Sequence, residues 1–432
     1  MTILEDAEKF TGKDALVRQS QSQATEGGNS AGIGASVVGG VIGGIGSGVA
    51  SAASGVVGGL GASIASTDPR AKGCDVVGSV KITFDMLVDR MLKYLKMHNY
   101  DKDESSCIRI MNLFLNHVLK GRSNLDGSER NFGDMKESEQ RFFKARQNNL
   151  NSKGVTLAVL NAISTHVANV EGNLADEAVE VLKELLFAGN LAVQNEVKNY
   201  VSSIDHDNKF LSHMKARMEH SLFAIKERKE KTSTRFVIMD EVARREFENA
   251  EQTFDALSEL CEGHNIEMQD VLRYQEYHTT QVNLIALAAH MFVIQCETNA
   301  CLKRMEEAEF NLVISNLDFL TECVQGKLPM IAILCTKYFY MKSNAHLHYT
   351  GPCSGNQELL IMKCDGFVAC LDKLLQSPFH SRVSIAVRVK VKAVALQLLA
   401  SCVEGRHDLV IHENVRQICF EYHSHSAYII PI

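Results

Sequence analysis

The sequence predicts an all-α protein, an armadillo-like α-solenoid of stacked helical hairpins. Apolar residues recur at spacings of three and four along most of the chain after residue 80, which places them on one face of a helix. No segment alternates apolar and polar residues over the length of a strand. Only five prolines occur in 432 residues, so long helices are permitted. Short loops between the helical segments favour antiparallel neighbours that stack on one another.

The amino-terminal segment, residues 1–72, is predicted to be disordered and of low complexity. Residues 27–67 carry no charge and consist mainly of Gly, Ala, Ser and Val. Small residues at four-residue spacing in this stretch allow two interpretations, a flexible linker or a glycine-rich helix that contacts a membrane. The linker is favoured, because each glycine costs a helix about 1 kcal/mol.

The helical elements follow in order from Phe84, which starts an apolar stripe that continues to Leu95. Asp103 is predicted to cap a second helix. Gly189 and Asn190 form a predicted helix stop. Further helices are predicted at residues 155–167, 174–188, 191–201, 210–229, 236–261, 280–296, 301–324, 359–375, 383–402 and 413–420. No fixed sequence period relates these segments, so a regular repeat family is not predicted.

We predict a helical solenoid region at residues 73–235, a second helical domain at 236–424 and a tail at 425–432. The net charge of −7 argues against a nucleic-acid partner, which requires a basic face. Phosphate-binding, serine-hydrolase and zinc-protease motifs are absent from the sequence, so we expect neither an enzyme nor a cofactor. The first 21 residues do not resemble a secretory signal, and the twelve cysteines form no CxxC pair. Reduced thiols in the cytosol are therefore expected.

Two sets of residues resemble metal-binding sites only weakly. Residues 101–105 are similar to the start of a calcium loop, but Ser106 and Asn112 occupy the positions where an EF-hand requires Gly and Glu. The set Cys335, His346, His348 and Cys353 offers zinc ligands without the spacing of a standard zinc module, so chance proximity is favoured. No metal site is predicted.

A dense motif occupies residues 260–275, which read LCEGHNIEMQDVLRYQ. It resembles L-C-E-x-H-N-x-[DE]-[LMF]-Q-[ND]-x-L-R-x-Q, the start of the RIH-associated domain of the inositol-trisphosphate and ryanodine receptor family. The matching positions are Leu260, Cys261, Glu262, His264, Asn265, Glu267, Met268, Gln269, Asp270, Leu272, Arg273 and Gln275.

Three later motifs keep the family's order. Residues 317–326 are similar to L-x-x-L-T-E-x-x-Q-G. The family's G-P-C-x-x-N-Q is matched by Gly351, Pro352, Cys353, Asn356 and Gln357. Residues 398–408 resemble L-L-x-x-x-E-x-R-H-D and end in Arg406, His407 and Asp408. The resemblance covers residues 80–424, and its specific motifs lie within residues 257–408.

The motif at 260–275 also has a physical interpretation. His264 and Asn265 stand where a long helix is predicted to end, and Asn tolerates left-handed backbone. Both side chains are expected to bond free carbonyl groups there. Asp270 and Arg273 are three residues apart on a short helix and are expected to pair. A structural clamp at a helix corner is favoured over a ligand site.

One departure from the family concerns residues 327–350. The family's Q-G and G-P-C share one glycine, whereas here Gly326 and Gly351 are separated by an apolar and aromatic stretch. It is either an insert that packs on the solenoid or untranslated sequence read through in a gene model. The second is favoured.

The resemblance implies a cytosolic regulatory and coupling segment of an intracellular calcium-release channel. It lies at the cytosolic face of the endoplasmic reticulum, between a ligand-binding region and a pore that the matching residues do not include. Its expected partners are other domains of that channel. No membrane span is expected after residue 67, since no charge-free apolar run there reaches the required length of about 18 residues. The alternative is a free-standing α-solenoid adaptor that binds another protein.

Overall fold

The computed structural model describes residues 83–98, 103–120, 122, 130, 132–165, 173–276, 278–326, 352–377, 379–380 and 382–406. Residues 1–72, the stretch 327–350 and the predicted helix 413–420 lie outside the described residues. The chain divides into two units, residues 1–99 with 121–136, and residues 100–120 with 137–432.

The first unit contains helix α1, Phe84–His98. Its buried side chains include Val88, Met91, Leu92 and Leu95, which follow the apolar stripe predicted from the sequence. A 3₁₀ turn spans Phe132–Asp134.

The regular secondary structure of the second unit is helical throughout its described residues. Its elements are α2 Glu104–Leu119, α3 Glu137–Ser152, α4 Val155–Thr165, α5 Asn173–Leu186, α6 Leu191–Ser203, α7 Lys209–Lys231, α8 Glu241–Cys261, α9 Ile266–Arg273, α10 Leu284–Cys296, α11 Asn299–Leu302, α12 Glu307–Val324, α13 Ser354–Glu358, a π-helical turn Leu359–Lys363, α14 Phe367–Gln376 and α15 Ile385–Val403. No strand occurs among the described residues.

The helices of the second unit pack in three rows. In the first row α2, α5, α8, α12 and α15 each contact the next. In the connecting row α3, α6, α9 and α13 do the same. A third row of α4, α7, α10 and α14 packs against the first row. The described part of the second unit therefore repeats a group of three helices: one from the first row, one from the connecting row and one from the third row. This arrangement confirms the predicted all-α, armadillo-like solenoid.

The repeat was not recognised from the sequence, although its length varies little. The first-row helices begin at residues 104, 173, 241, 307 and 385, so successive starts lie 69, 68, 66 and 78 residues apart. Each repeat also carries a connecting helix between its first-row and third-row helices. One of these, α3, was missed altogether, since it is mostly polar and buries only Phe143, Gln147 and Leu150.

Several predicted helix boundaries were wrong, and local capping explains most of the differences. The helix predicted from residue 236 begins after Asp240, whose carboxylate accepts the amide hydrogen of Ala243 at 2.8 Å. The helix predicted from residue 280 begins after Asn283, which caps Ala286 at 2.9 Å. The predicted helix 301–324 is broken between α11 and α12. The predicted helix 359–375 is broken at Gly366, whose φ is +78°.

Buried charged residues connect the rows. Arg217 on α7 is 1% exposed, donates to Thr253 on α8 at 3.0 Å and pairs with Asp176 on α5. Arg228, also on α7, pairs with Glu306 at 2.9 Å. Because a buried cation is tolerated only with such partners, these contacts fix α7 against the first row.

Candidate functional site

The first-row helices α5 and α8 each end in a sharp corner that leads directly into a connecting helix. The corner after α5 has two left-handed residues, Ala188 with φ +62° and Gly189 with φ +61°. The corner after α8 repeats this arrangement in Gly263, with φ +76°, and His264, with φ +63°. The last carbonyl groups of each helix therefore turn away from any helical partner and need donors from elsewhere.

Those donors are the side-chain amides of four glutamines, Gln147, Gln194, Gln269 and Gln357, which we call the amide ladder. Each lies on a connecting helix and is at most 1% exposed. Each Nε2 donates to two carbonyl oxygens at the end of the next first-row helix. The acceptors are Glu184 and Phe187 at 2.9 and 3.0 Å, Glu259 and Glu262 at 2.9 and 2.9 Å, Glu322 and Gln325 at 2.7 and 3.0 Å, and Ser401 and Glu404 at 2.8 and 3.0 Å.

Asparagines at the following corners extend the ladder. Asn190 donates to Oε1 of Gln147 at 2.9 Å, and Asn265 donates to Oε1 of Gln194 at 3.0 Å. At the third corner Asn356 donates instead to the backbone oxygens of Gln269 and Cys323, at 3.1 and 2.9 Å. Each repeat is thus joined to the next by buried amide hydrogen bonds.

The corner residues of the predicted motif take different roles from those expected. Asn265 is not left-handed: its φ is −80°, and it caps α9 by accepting the amide hydrogen of Met268 at 3.3 Å. His264 takes the left-handed conformation. The free carbonyls of α8 are bonded by Gln194 from the preceding repeat, so Asn265 is left to cap the next helix.

The remaining motif residues lie around the same corners. Leu260, Cys261 and Leu272 are fully buried, whereas Glu262 is exposed. The side chains of Arg273 and Asp270 pair at 2.6 Å, and the guanidinium of Arg273 covers Gly355.

Pro352, Cys353 and Arg406 connect the last two corners. Arg406 donates to the backbone oxygen of Ser354 at 3.2 Å. A Cβ on Gly405 would lie 3.0 Å from Pro352. The Cys353 thiol contacts the carboxylate of Asp270 at 3.5 Å. Gly351, His407 and Asp408 lie outside the described residues.

Gln275 organises the turn after α9. It is 3% exposed, and its Nε2 donates to the oxygens of Val271 and Val282. Its Oε1 accepts from Asn208 at 3.1 Å, at the start of α7. The motif glutamine therefore holds together the beginnings of two third-row helices, α7 and α10.

A second cluster lies on the first row, and we call it the carboxylate row. It consists of Glu251, Asp255 and Glu259 on α8 and Asp318 and Glu322 on α12. Burial and neighbouring carboxylates raise the pKa of Glu251 and of Glu259 to about 7. Burial, then Glu262 and Glu259, raises the pKa of Glu322 to about 8. Burial raises the pKa of Asp318 to about 6, although Lys390 on α15 opposes the shift.

Perturbed carboxylates concentrated on one surface mark a candidate functional site. Among the described residues, however, no group of three or more His, Cys, Asp and Glu side chains is placed to hold a metal ion. Of the zinc candidates only Cys353 is described; Cys335, His346 and His348 are not. Within the described helices, none is both long and apolar enough to cross a membrane.

Residues 244–341 match the family model described as RyR and IP3R Homology associated. This chain carries the RIH-associated domain of the inositol-trisphosphate and ryanodine receptor family. The matched region begins in α8 and contains the corner at 262–265, Gln269 of the amide ladder and the whole carboxylate row. It ends at residue 341, beyond the described part of the domain.

Sequence reasoning missed the first two glutamines of the ladder. A signal was present, because NLAVQ at 190–194 and NIEMQ at 265–269 share an Asn that caps a helix and a Gln four residues later. A signal for the carboxylate row was also present but was not used, because the four-residue spacing of Glu251, Asp255 and Glu259 places them on one helix face. The sequence does not show that this face of α8 is partly buried beside the acidic residues of α12, because that depends on how the two helices pack.

Proposed function

We propose that this chain is the cytosolic regulatory and coupling segment of an intracellular calcium-release channel resembling the inositol-trisphosphate receptor. Its place would be the cytosolic face of the endoplasmic reticulum, with other domains of the channel as partners and no catalytic activity of its own. The match to the RIH-associated domain supports the channel family.

The amide ladder carries the argument for coupling. A first-row helix end cannot move away from the connecting helix of the preceding repeat without breaking two buried amide hydrogen bonds. Each lost bond costs roughly 1 kcal/mol, and a buried carbonyl without a donor costs about 1–3 kcal/mol. Adjacent corners therefore move together, and a displacement at one end of the ladder passes to the next repeat as a semi-rigid motion.

The carboxylate row supplies a place for regulation. Burial and neighbouring carboxylates raise the pKa of Glu251 and Glu259 to about 7 and that of Glu322 to about 8, so these three carboxyl groups change charge near neutral pH. Protonation or ionisation of a carboxyl group between α8 and α12 changes the relative free energies of the alternative packing arrangements of these two helices. In this proposal, the charge on the carboxylate row regulates how the helices joined by the amide ladder are arranged.

The test uses cells in which the gene for this chain is disrupted. Agonist-evoked release of calcium from internal stores is measured after rescue with the wild-type gene, with Gln194→Met, or with the exposed control Gln376→Met. We expect rescue by the wild type and the control, and reduced release at equal protein level with Gln194→Met. Unchanged release after disruption of the gene would refute the channel role. Calcium flux through liposomes that hold only the purified chain would refute a coupling segment without a pore of its own.

The alternative is an α-solenoid adaptor, and the carboxylate row favours it as well, since an acidic helix face suits a basic partner. In that case a basic protein would co-purify with the wild-type chain. The partner would be lost when Glu251 and Asp255 are replaced by Gln and Asn, and calcium release would not depend on the gene.

A further inference from the structure

The connection between α7 and α8 begins with an exposed stretch that has no helical structure. The connection runs from Thr232, the residue that ends α7, to Asp240, the residue that caps α8. Residues 233–235 at its start are exposed. Exposed, irregular segments between helices are where enzymes that act on peptide chains gain access to a folded protein.

This stretch carries three hydroxyl side chains in a row, and their surroundings differ. Thr232 is 7% exposed, and its Oγ1 donates to the carbonyl oxygen of Arg228 at 2.8 Å. Ser233 and Thr234 are exposed, and neither hydroxyl makes a hydrogen bond with a described residue. The two exposed hydroxyl groups are therefore available for modification, whereas that of Thr232 is not.

The surrounding charge pattern distinguishes Ser233 from Thr234. Lys231 lies two residues before Ser233 and Arg235 lies two residues after it. No other described serine or threonine has a basic residue at both of these positions; Thr234 has Thr232 and Phe236 there. Protein kinases select substrates by such charge patterns, because acidic groups in the cleft of the kinase bind basic residues beside the target hydroxyl.

A guanidinium group of the next repeat lies against the same residue. Arg304, in the connection between α11 and α12, donates through Nη1 to the backbone oxygen of Thr232 at 2.8 Å and to that of Ser233. Among the described residues, none accepts from its Nη2 or Nε, and none pairs with Arg235. Guanidinium groups bind phosphate oxygens by charge-assisted hydrogen bonds. A phosphate on Ser233 would therefore stand beside an arginine that has donors to spare.

The acidic side chains around this connection leave room for a phosphate. Glu306 pairs with Arg228 at 2.9 Å, and Asp240 lies 3.7 Å from Lys231. Glu230 is exposed, so water and salt screen its repulsion of a second anion.

We propose that Ser233 is a phosphorylation site for a kinase that selects basic residues on both sides of its target, and that Arg304 binds the phosphate. In the transfer, Oγ of Ser233 forms a bond to the γ-phosphorus of ATP while the bond from that phosphorus to ADP breaks. The hydroxyl proton passes to a base of the kinase. The product carries a charge of about −1.5 to −2 at neutral pH.

The phosphate would link two repeats. Arg304 stands two residues before Glu306, which caps α12, whereas Ser233 directly follows the end of α7. The inference goes beyond the proposed coupling role, since it applies equally to a channel segment and to an adaptor. Its test measures phosphorylation and not calcium release, so its failure is distinguishable from failure of the proposed function.

The first measurement incubates the folded full chain with ATP and the catalytic domain of protein kinase C, and mass spectrometry locates the phosphate. We expect phosphorylation at residue 233, none there in Ser233→Ala, and an unchanged rate in Thr234→Ala. Replacing Lys231 and Arg235 together by Gln should slow the reaction at least about tenfold. A synthetic peptide of residues 226–240 is the positive control for the kinase. A phosphorylated peptide with an unmodified folded chain, an unmodified peptide, or equal modification of Thr234 overturns the proposal.

The second measurement tests the role of Arg304 by ³¹P NMR titration of the phosphorylated chain. A neighbouring cation favours the dianion, so it lowers the second pKa of the phosphate, which is about 6 in free phosphoserine. We expect this pKa to be lower in the folded wild type than in Arg304→Gln by about 0.5. A merely structural role of Arg304 would not change the phosphate's titration. Lys303→Gln, which removes an exposed cation next in the chain, should have less than half of that effect. Equal titration of the wild type and Arg304→Gln overturns the assignment of Arg304.

Discussion

Replacing Gln269 by Met tests the amide ladder directly. Met has a similar length and volume but no donor, so the change removes both bonds to Glu322 and Gln325 while filling the same space. The side chain is fully buried, and no water can replace the lost donor without rearrangement. Among the described residues Oε1 of Gln269 has no hydrogen-bond partner, so its removal adds no cost.

The expected loss follows from the two carbonyl groups. Each loses a bond worth roughly 1 kcal/mol net, and the penalty for a buried acceptor without a donor brings the total to about 2–4 kcal/mol. The loss should be local, because a stack of repeats opens piecewise and not in one transition. Hydrogen exchange is therefore a better assay than a single denaturation midpoint.

The assay follows the backbone amides of Tyr274 at the end of α9 and Gln325 at the end of α12, both hydrogen-bonded within their helices. A local loss of 2–4 kcal/mol corresponds to roughly 30-fold to 1000-fold faster exchange. The control is Gln376→Met, since the exposed Gln376 bonds Asp372 of its own helix at 2.7 Å, and it should change exchange by less than about threefold. Exchange at the corner bonded by Gln147 should stay unchanged. Equal effects of the two variants, or faster exchange at every corner, would refute the ladder as a set of local links.

Three further predictions concern the corners and the carboxylate row. Asn265→Ala should destabilise α9 by about 1–2 kcal/mol, measured by hydrogen exchange, because it removes the cap on Met268 and the bond to Gln194; no change would exclude the capping role. Ala188→Gly should stabilise the corner after α5 by about 0.5–1 kcal/mol, because the φ of Ala188 is +62°. The control Ala192→Gly, at an exposed helical residue, should destabilise α6. A lower urea midpoint for Ala188→Gly than for the wild type would contradict the assigned backbone strain. The pKa of Glu322 is about 8 in the folded chain, above its unfolded value of 4.5, so the folded state binds the additional proton and stability falls as pH rises from 4.5 to 8. Glu322→Gln should remove that fall and raise stability at pH 8.5 by about 2 kcal/mol after discounting for solvent screening; parallel urea midpoints for mutant and wild type from pH 5.5 to 8.5 would contradict it.

The sequence by itself determined the helical class and the RIH-associated domain. Spacings of three and four fix which residues of a helix share a face, as in α1, and this depends only on local geometry. The corner motif at 260–275 was sufficient to identify the RIH-associated domain, because its residues are closely spaced along the chain. The pair of Asp270 with Arg273 was also predictable, since both stand on one helix turn.

Only the tertiary structure decided which residues of different repeats contact one another. Gln194 and the carbonyls of Glu259 and Glu262 are more than 60 residues apart, so no local pattern indicates that they bond. The same distance explains why Asn265 was assigned to the wrong partner. Polar helix α3 forms because Phe143, Gln147 and Leu150 are buried by other rows, not because its own sequence has a strong apolar stripe. The raised pKa of Glu322, about 8, likewise depends on which helices lie beside it, and neighbours that are distant in sequence are set only when the solenoid packs.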